Sequence, residues 1–558
     1  MPSLVRSLIA LVTVAKAAPL FSHDEPVNHV ARSLASTQDL AFVQLPTTQK
    51  ILAGLGGNPA LLAAMLNDTR LDIWTHLMLA MVQVKMNEWH TPRADSNITV
   101  PTIKMPLTKL SIPHTTLEVP TQDEDWPDDP PQFNAALNYM RDYAPFVDNL
   151  EATWQAGEDK EAYVMSKVGK MWPPVHVAWT DRYSDKALSQ VVFSGMGSHV
   201  IEKLPKTQAD GSYYGVLLNF MDQLDVRSGF AKYGADAYFD KHGNVVKIIR
   251  QNKTYFPGSN GWEYAKMTFR GSLMVKITVV DHLLGLHAVV GNYIATAARE
   301  QLPPNHPLRR LLKPFTFRAV EVVVVATRAL FATNGFLHRG HALSETGMQD
   351  VWSYGLKQFH FETFPETVRR QRIDTVSLPF HTDGLDFWDS TRSFVSDYVD
   401  LYYDCDEAVT RDASLAQFWR ALDSKFPKQL RPLTMETLKD TMAQFIVWTT
   451  GMHNHVGSIA DYVRDPAFTP PAWIEGQLAA PPGYVIRAAI IMAATSFSQP
   501  SILEDFSHVM LDDDAKSLCH EFTDDLKRLS KKIDRRNRNR AQAFQSFNPK
   551  FMDISVGI

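Results

Sequence analysis

The sequence predicts a mainly α protein: one large helical domain with a small antiparallel β excursion. Two patterns carry that expectation. Apolar residues recur at three- and four-residue spacing through long stretches at 262–300, 316–333, 387–403, 434–456 and 514–534. Alternating patterns are confined to short runs near 213–218, 237–239 and 245–249, with a turn at 241–244. No repeat or low-complexity segment interrupts the chain.

Along the chain, residues 1–17 read as a secretory signal. Arg6 supplies the positive start, 7–15 an apolar run too short to cross a bilayer, and Ala15, Lys16 and Ala17 a small-residue cleavage pattern. A buried N-terminal helix is the alternative. A polar stretch follows to about residue 50, then helical periodicity at 61–65 and 71–84. The run 119–131 is rich in proline and acid and is expected to be an exposed loop. It is not a domain boundary, because helical patterning resumes at Phe133 without a change of composition. Residues 18–558 are therefore expected to form a single domain.

Composition narrows the function classes. The 558 residues are 45% hydrophobic, ample for a large core, and the formal net charge is only -5. There is no basic stripe to suit a nucleic acid and no long acidic tail. No transmembrane segment is expected. Sequons at Asn67, Asn97 and Asn252 fit a secreted glycoprotein. Cys405 and Cys519 allow one disulfide at most.

The chemistry concentrates on histidines. His282 and His287 lie in a helix whose other residues, Val279, Val280, Leu283, Leu284, Leu286, Val289 and Val290, are apolar. Two imidazoles in such surroundings are costly unless something satisfies them. A separation of five turns an ideal α-helix by about 500°, so the rings miss a common face by about 140°. A local π-type widening would align them, and such bulges favour functional sites. Imidazole pairs suit iron, manganese or zinc. Taken alone, the pair reads more simply as hydrogen-bonded core histidines. It is not the His-Glu-x-x-His pattern of zinc proteases. A third histidine, His453, closes a second apolar helix at 445–455, and the chain ends on an apolar run, 552–558. A buried terminal carboxylate needs a partner, and a metal would serve.

These motifs together resemble the lipoxygenase catalytic domain, from about residue 175 to 558. Trp262-Glu-Tyr-Ala-Lys266 is similar to the family's Trp-x-x-Ala-Lys, and it precedes His282 by the spacing that the family shows. The run from His306 to Pro314 is similar to the family's His-Pro-x-x-Lys-Leu-Leu-x-Pro, and 378–388 and 395–403 to its central block. The resemblance implies one non-haem manganese or iron ion held by His282, His287, His453 and the carboxylate of Ile558. Where the family carries a fourth side-chain ligand, this chain has Gly457, with Asn454, His455 and Ser458 as the region of a substitute. Counting back from Thr333, Asn334 and Gly335 puts Ala326 at the stereocontrol position and Leu330 at the substrate clamp; ordinary core packing is the alternative for both. Arg299, Arg309, Arg310 and Arg328 are candidates for a carboxylate anchor by proximity alone, against a reading as exposed surface arginines.

With no N-terminal β-sandwich evident, the chain looks most like the secreted fungal branch, in which manganese often replaces iron. The implied function is hydrogen-atom abstraction from a doubly allylic carbon of a polyunsaturated fatty acid, followed by addition of O2 to give a hydroperoxide, in a monomeric extracellular enzyme. Gly457 keeps open a changed reaction on the same fold, either hydroperoxide isomerisation or oxidation of a polyene secondary metabolite. A non-catalytic lipid-binding relative is a further alternative.

Overall fold

The computed structural model describes residues 107–109, 118–120, 153–168, 172 and 181–557, apart from 321, 324–325, 327–329, 331–334, 374–375, 427 and 486–498. The expected signal 1–17, the helices at 61–65, 71–84 and from Phe133, the sequons at Asn67 and Asn97, Arg328 and the terminal Ile558 lie outside those residues. Of the expected loop at 119–131, Val119 and Pro120 belong instead to a strand, β2 (Glu118–Pro120), paired antiparallel with β1 (Leu107–Lys109).

The β excursion is a five-stranded antiparallel sheet of consecutive neighbours, β3 (Glu202–Lys203), β4 (Tyr214–Val216), β5 (Asp236–Phe239), β6 (Val245–Arg250) and β7 (Lys253–Tyr255). Three of these were legible by alternation. The edge strands β3 and β7, of two and three residues, are too short to show a period. The register pairs Gly215 with Tyr238 and Ala237 with Ile248. Phe193, at the end of the helix Asp185–Phe193, closes one face edge-on against Tyr214 and Phe239, with ring centroids at 5.6 and 5.3 Å.

Helices make up most of the rest. Their centre is a continuous 40-residue helix, Trp262–Gln301. By length and composition it could cross a membrane, yet most positions from Trp262 to Arg299 are buried in the protein. A helix that is apolar on all sides belongs in a core, and this one is the axis of it. Its start is fixed by the Trp-x-x-Ala-Lys motif. Trp262 Nε1 donates to Asp185 Oδ1 at 2.7 Å, and Lys266, 2% exposed, reaches Asp185 at 3.0 Å and the Tyr183 carbonyl at 2.5 Å. Around this axis pack Glu345–Gln358, Ala413–Lys425 and His453–Gly457.

The helix expected at 387–403 is Pro379–Asp400; Pro379 occupies its first turn, where a missing N–H costs nothing. The stretch expected at 514–534 is Asp513–Asn537, capped by Asp512 accepting from the Ala515 N–H. Of 316–333, residues 319–320, 322–323 and 326 are helical. The helices Glu345–Gln358, Phe364–Gln371 and Ala413–Lys425 were not foreseen. Cys405 is exposed and Cys519 buried, both free thiols, so no disulfide joins them.

The two long outer helices are joined by charge. Asp383 on Pro379–Asp400 is fully buried and accepts from Arg536 at 2.9 Å and from Arg540 at 2.6 and 2.8 Å. The arginines are 26% and 16% exposed and Arg536 also meets Asp386, so loss of the Asp383 charge strands no buried cation and costs about 1–3 kcal/mol for the charged hydrogen bonds. Asp383→Asn is therefore expected to lower the unfolding free energy by roughly that amount, measured by denaturant unfolding, whereas Asp386→Asn on the same helix face should cost less because Asp386 is 24% exposed.

Candidate metal centre

Each histidine reaches the centre through an unusual turn of helix. Within the 40-residue helix, Lys276–Gly291 is π-helical over 16 residues, flanked by α-helix on both sides. After Lys276 come Ile277, Thr278, Val279 and Val280, whose branched Cβ atoms crowd their i+3 and i+4 neighbours in an α-helix. Bonding from i to i+5 stacks residues five apart. That removes most of the 140° error of an α-helix and brings His282 and His287 together, Nε2 to Nε2 at 3.0 Å. The widening that the spacing calls for is present, but it is a long π-helix rather than a single bulge.

The third ring arrives the same way. Met435–Val447 is α-helical, Trp448–Met452 is π-helical, and His453 opens the short helix His453–Gly457. His453 Nε2 lies 3.2 Å from His287 Nε2. The three ring centroids are 4.7, 4.8 and 4.9 Å apart. Among the described residues this is the one group of three or more histidine, cysteine or carboxylate side chains whose donor atoms converge, all within 4.8 Å. His287 is 2% and His453 4% exposed, and His282 is partly exposed.

Three imidazole nitrogens facing one another cannot satisfy themselves. An imidazole nitrogen either carries a proton or offers a lone pair, never both. Whichever way protons are shared, two like atoms stay opposed. Burial also disfavours added protons: it pushes His282 down to about 4, and it holds His287 well below the usual value, helped by the neighbouring His282 and His453. A backbone hydrogen bond to the Val556 carbonyl pulls His287 the other way. One cation would satisfy all three lone pairs. Bonds of about 2.1 Å at right angles separate two ligand nitrogens by about 3.0 Å, against about 3.4 Å in a tetrahedral site. The observed 3.0 and 3.2 Å fall in the range that two nitrogens sharing one ion span. The residues present therefore fit a non-haem metal.

Gly457 stands beside the cluster. A Cβ built there would lie 3.5 Å from His282 Nε2, so any side chain at 457 would enter the centre. Glycine offers no donor. The residues expected to substitute are engaged elsewhere: Asn454 Nδ2 donates to the Ser546 carbonyl at 2.8 Å, Ser458 Oγ to the Asn454 carbonyl at 2.5 Å, and His455 pairs with His199 and Ser546.

The chain end approaches as its apolar sequence implies. Ile554 N–H donates to the Pro500 carbonyl at 2.9 Å, Ser555 Oγ to the Phe317 carbonyl, and Val556 is fully buried against Gly291 of the π-helix. Of the other candidates, Ala326 is buried and Leu330 half-buried one turn on, its N–H donating to the Ala326 carbonyl at 2.9 Å. Arg299 and Arg309 are each 3% exposed, not surface residues; Arg309 donates to the Leu302 carbonyl at 2.8 Å and Arg310 to that of Val509 at 3.3 Å. His306 caps the helix Pro307–Leu312 through Nδ1 and meets Asp412 at 3.1 Å, so the His-Pro motif is architectural. Sequence reasoning missed His199, which lies far from the other histidines along the chain and carries no motif.

Comparison with known proteins agrees with this geometry. Residues 240–457 match the lipoxygenase family model. Polyunsaturated fatty acid lipoxygenase ALOX8 of Mus musculus is 26% identical over 204 residues, 36% of this chain and 30% of that protein. Hydroperoxide isomerase ALOXE3 of Homo sapiens is 29% identical over 170 residues, 30% of this chain and 24% of that protein. The chain thus aligns with under a third of the length of either relative. Among solved structures, coral 8R-lipoxygenase superposes with a TM-score of 0.63 at 17% identity, covering 76% of this chain and 75% of that one. Delta413-417:GS LOX gives 0.63 at 18%, covering 73% and 71%. The chain has the lipoxygenase catalytic fold, and its match to the lipoxygenase family, over residues 240–457, holds all three converging histidines.

Proposed function

We propose that the chain is a lipoxygenase-type non-haem metal dioxygenase acting on a polyunsaturated fatty acid. The observation that carries this reading is the convergence of His282, His287 and His453 inside an apolar core on a lipoxygenase fold. A bound manganese or iron ion would supply the one-electron chemistry that takes a hydrogen atom from a doubly allylic carbon before O2 adds. The three imidazoles would hold it, with the Ile558 carboxylate offsetting its charge. Gly457 contributes no ligand, which leaves room beside His282 for water or substrate. Ala326 and Leu330 would shape the substrate's approach. A fatty-acid ligand is supported by the arachidonate complex of Delta413-417:GS LOX, which resembles this chain.

A second reading keeps the centre and changes the reaction to hydroperoxide isomerisation. Two observations favour it: the missing donor at 457 and the similarity to hydroperoxide isomerase ALOXE3. The same account takes residues 1–17 as a removed signal and the mature chain as a secreted monomer. Asn252, exposed in the turn between β6 and β7, would be an accessible glycosylation site.

The purified protein is expected to hold close to one manganese or iron per chain by elemental analysis, and to convert linoleate to a conjugated-diene hydroperoxide. Turnover of a preformed hydroperoxide without diene formation would favour the isomerase, and a protein that accepts neither ion would leave a lipid-binding relative. His287→Ala should lose more than the roughly 10–100-fold of metal affinity typical of an outer-sphere partner; unchanged affinity would refute the ligand assignment. Gly457→Asn should slow metal loss to a chelator, and an unchanged rate of loss would mean that position 457 does not face the ion. Acid gives a fourth check. His282, His341 and His381 are each held near 4 in the folded chain by burial. Below the unfolded value of about 6.5, the unfolded chain binds protons that the folded chain refuses. Stability of the metal-free protein should thus fall as pH drops from about 6.5 to 4, read from denaturation midpoints; a flat profile would contradict their burial as neutral rings.

A further inference from the structure

Beside the three converging histidines runs a second, partly buried chain of polar side chains that the proposed reaction does not use. Lys276 Nζ contacts both oxygens of Asp281 at 2.7 Å. Asp281 Oδ2 is 3.0 Å from His199 Nε2, His199 Nδ1 is 2.9 Å from His455 Nε2, and His455 Nδ1 is 3.0 Å from Ser546 Oγ. His199 is 8% and His455 3% exposed. With neutral rings, the carboxylate orders every proton in the row. Asp281 can only accept, so His199 donates from Nε2 and accepts at Nδ1; His455 then donates from Nε2 and accepts the Ser546 hydroxyl at Nδ1.

The placement of this chain gives it a purpose. Asp281 immediately precedes His282, and His455 follows His453 by two residues. Lys276 and Asp281 are five apart, the same spacing as His282 and His287. Side chains five apart meet on a π-helix and point about 140° apart on an α-helix. The ion pair therefore closes only in the register that also brings the two histidines together. His199 carries the tie across to the helix of His453. Its own segment is anchored, since the fully buried Gln371 donates to the carbonyls of Ser198 at 2.7 Å and Ile201 at 2.9 Å. Metal-bound histidines are usually oriented through their second ring nitrogen, and for His287 the Val556 carbonyl is the backbone acceptor within reach. Here the backbone carrying the rings is held as well.

We propose that Lys276, Asp281, His199 and His455 form a metal-independent clamp that fixes the π-helical register of the histidine pair against the His453 helix, with His199 as its positioning residue. The proposal rests on the metal-centre reading above. It explains why His455, beside the centre in sequence, is not a ligand: both its ring nitrogens are committed to the clamp.

The test uses the full-length protein stripped of metal. Mn(II) affinity is read from the electron paramagnetic resonance signal of the free ion, alongside the unfolding midpoint of the metal-free protein. His199→Leu breaks the chain and should weaken Mn(II) binding by roughly 10–100-fold. His199→Gln should restore most of it, because the amide can donate to Asp281 and accept from His455 at once. A merely structural role would lower the unfolding midpoint of both variants without separating their affinities. Lys276→Met, which leaves all the histidines in place, should also weaken binding, and serves if His199→Leu does not fold. Wild-type affinity in folded His199→Leu or Lys276→Met would overturn the clamp while leaving the metal centre intact. Equal loss in the Gln and Leu variants would overturn it too. A wild-type chain that takes up neither Mn(II) nor Fe(II) would instead sink the centre, and the clamp with it.

Discussion

Everything about this molecule's centre follows from one constraint: three imidazoles must meet nitrogen to nitrogen inside an apolar core. Bringing them there forfeits their hydration, and they cannot hydrogen-bond one another in a closed set. The fold answers with helix geometry. Two π-helical segments, Lys276–Gly291 and Trp448–Met452, aim three rings from two helices at one point. π-Helix is rare and is found mostly at functional sites. Sixteen residues of it in a largely buried helix is a conformation that surrounding contacts must enforce.

Those contacts are visible at both ends. Trp262 and Lys266 fix the start of the helix on Asp185, and Val556 lies against Gly291 at the end of the π segment. Between them the Lys276–Asp281 pair spans one π turn. Farther out, Asp383 ties Pro379–Asp400 to Asp513–Asn537, the helix that leads into the C-terminal segment. The chain end is thus drawn inward by packing and hydrogen bonds as far as Gly557, which is itself buried.

Much of this was legible in the residues, and the rest was hidden for identifiable reasons. Apolar periodicity revealed the long helices because their buried faces are wide, and the five-residue spacing of His282 and His287 already demanded a widened helix. The extent of the π-helix was not readable, since no residue pattern distinguishes sixteen π residues from a local bulge. The helix Pro379–Asp400 begins eight residues before the expected 387 because its first turns mix His381, Thr382 and Asp383 with apolar residues. Arg299 and Arg309 read as surface residues by type, yet they are buried, with Arg309 bonded to a backbone carbonyl. His199 gave no signal: its partners are 82 and 256 residues away. Long-range pairing of single polar residues is the part of a site that one sequence hides best. At position 457 the absence of a ligand was plain from the sequence, and the geometry adds that a side chain there would enter the cluster.

The most direct test of the central claim is X-ray absorption at the metal edge of the loaded protein, which counts imidazoles around the ion. The account predicts three, with the remaining ligands oxygen, and metal–nitrogen distances of about 2.1 Å. A spectrum with one imidazole or none would contradict it, because the ion would then be held somewhere other than between His282, His287 and His453.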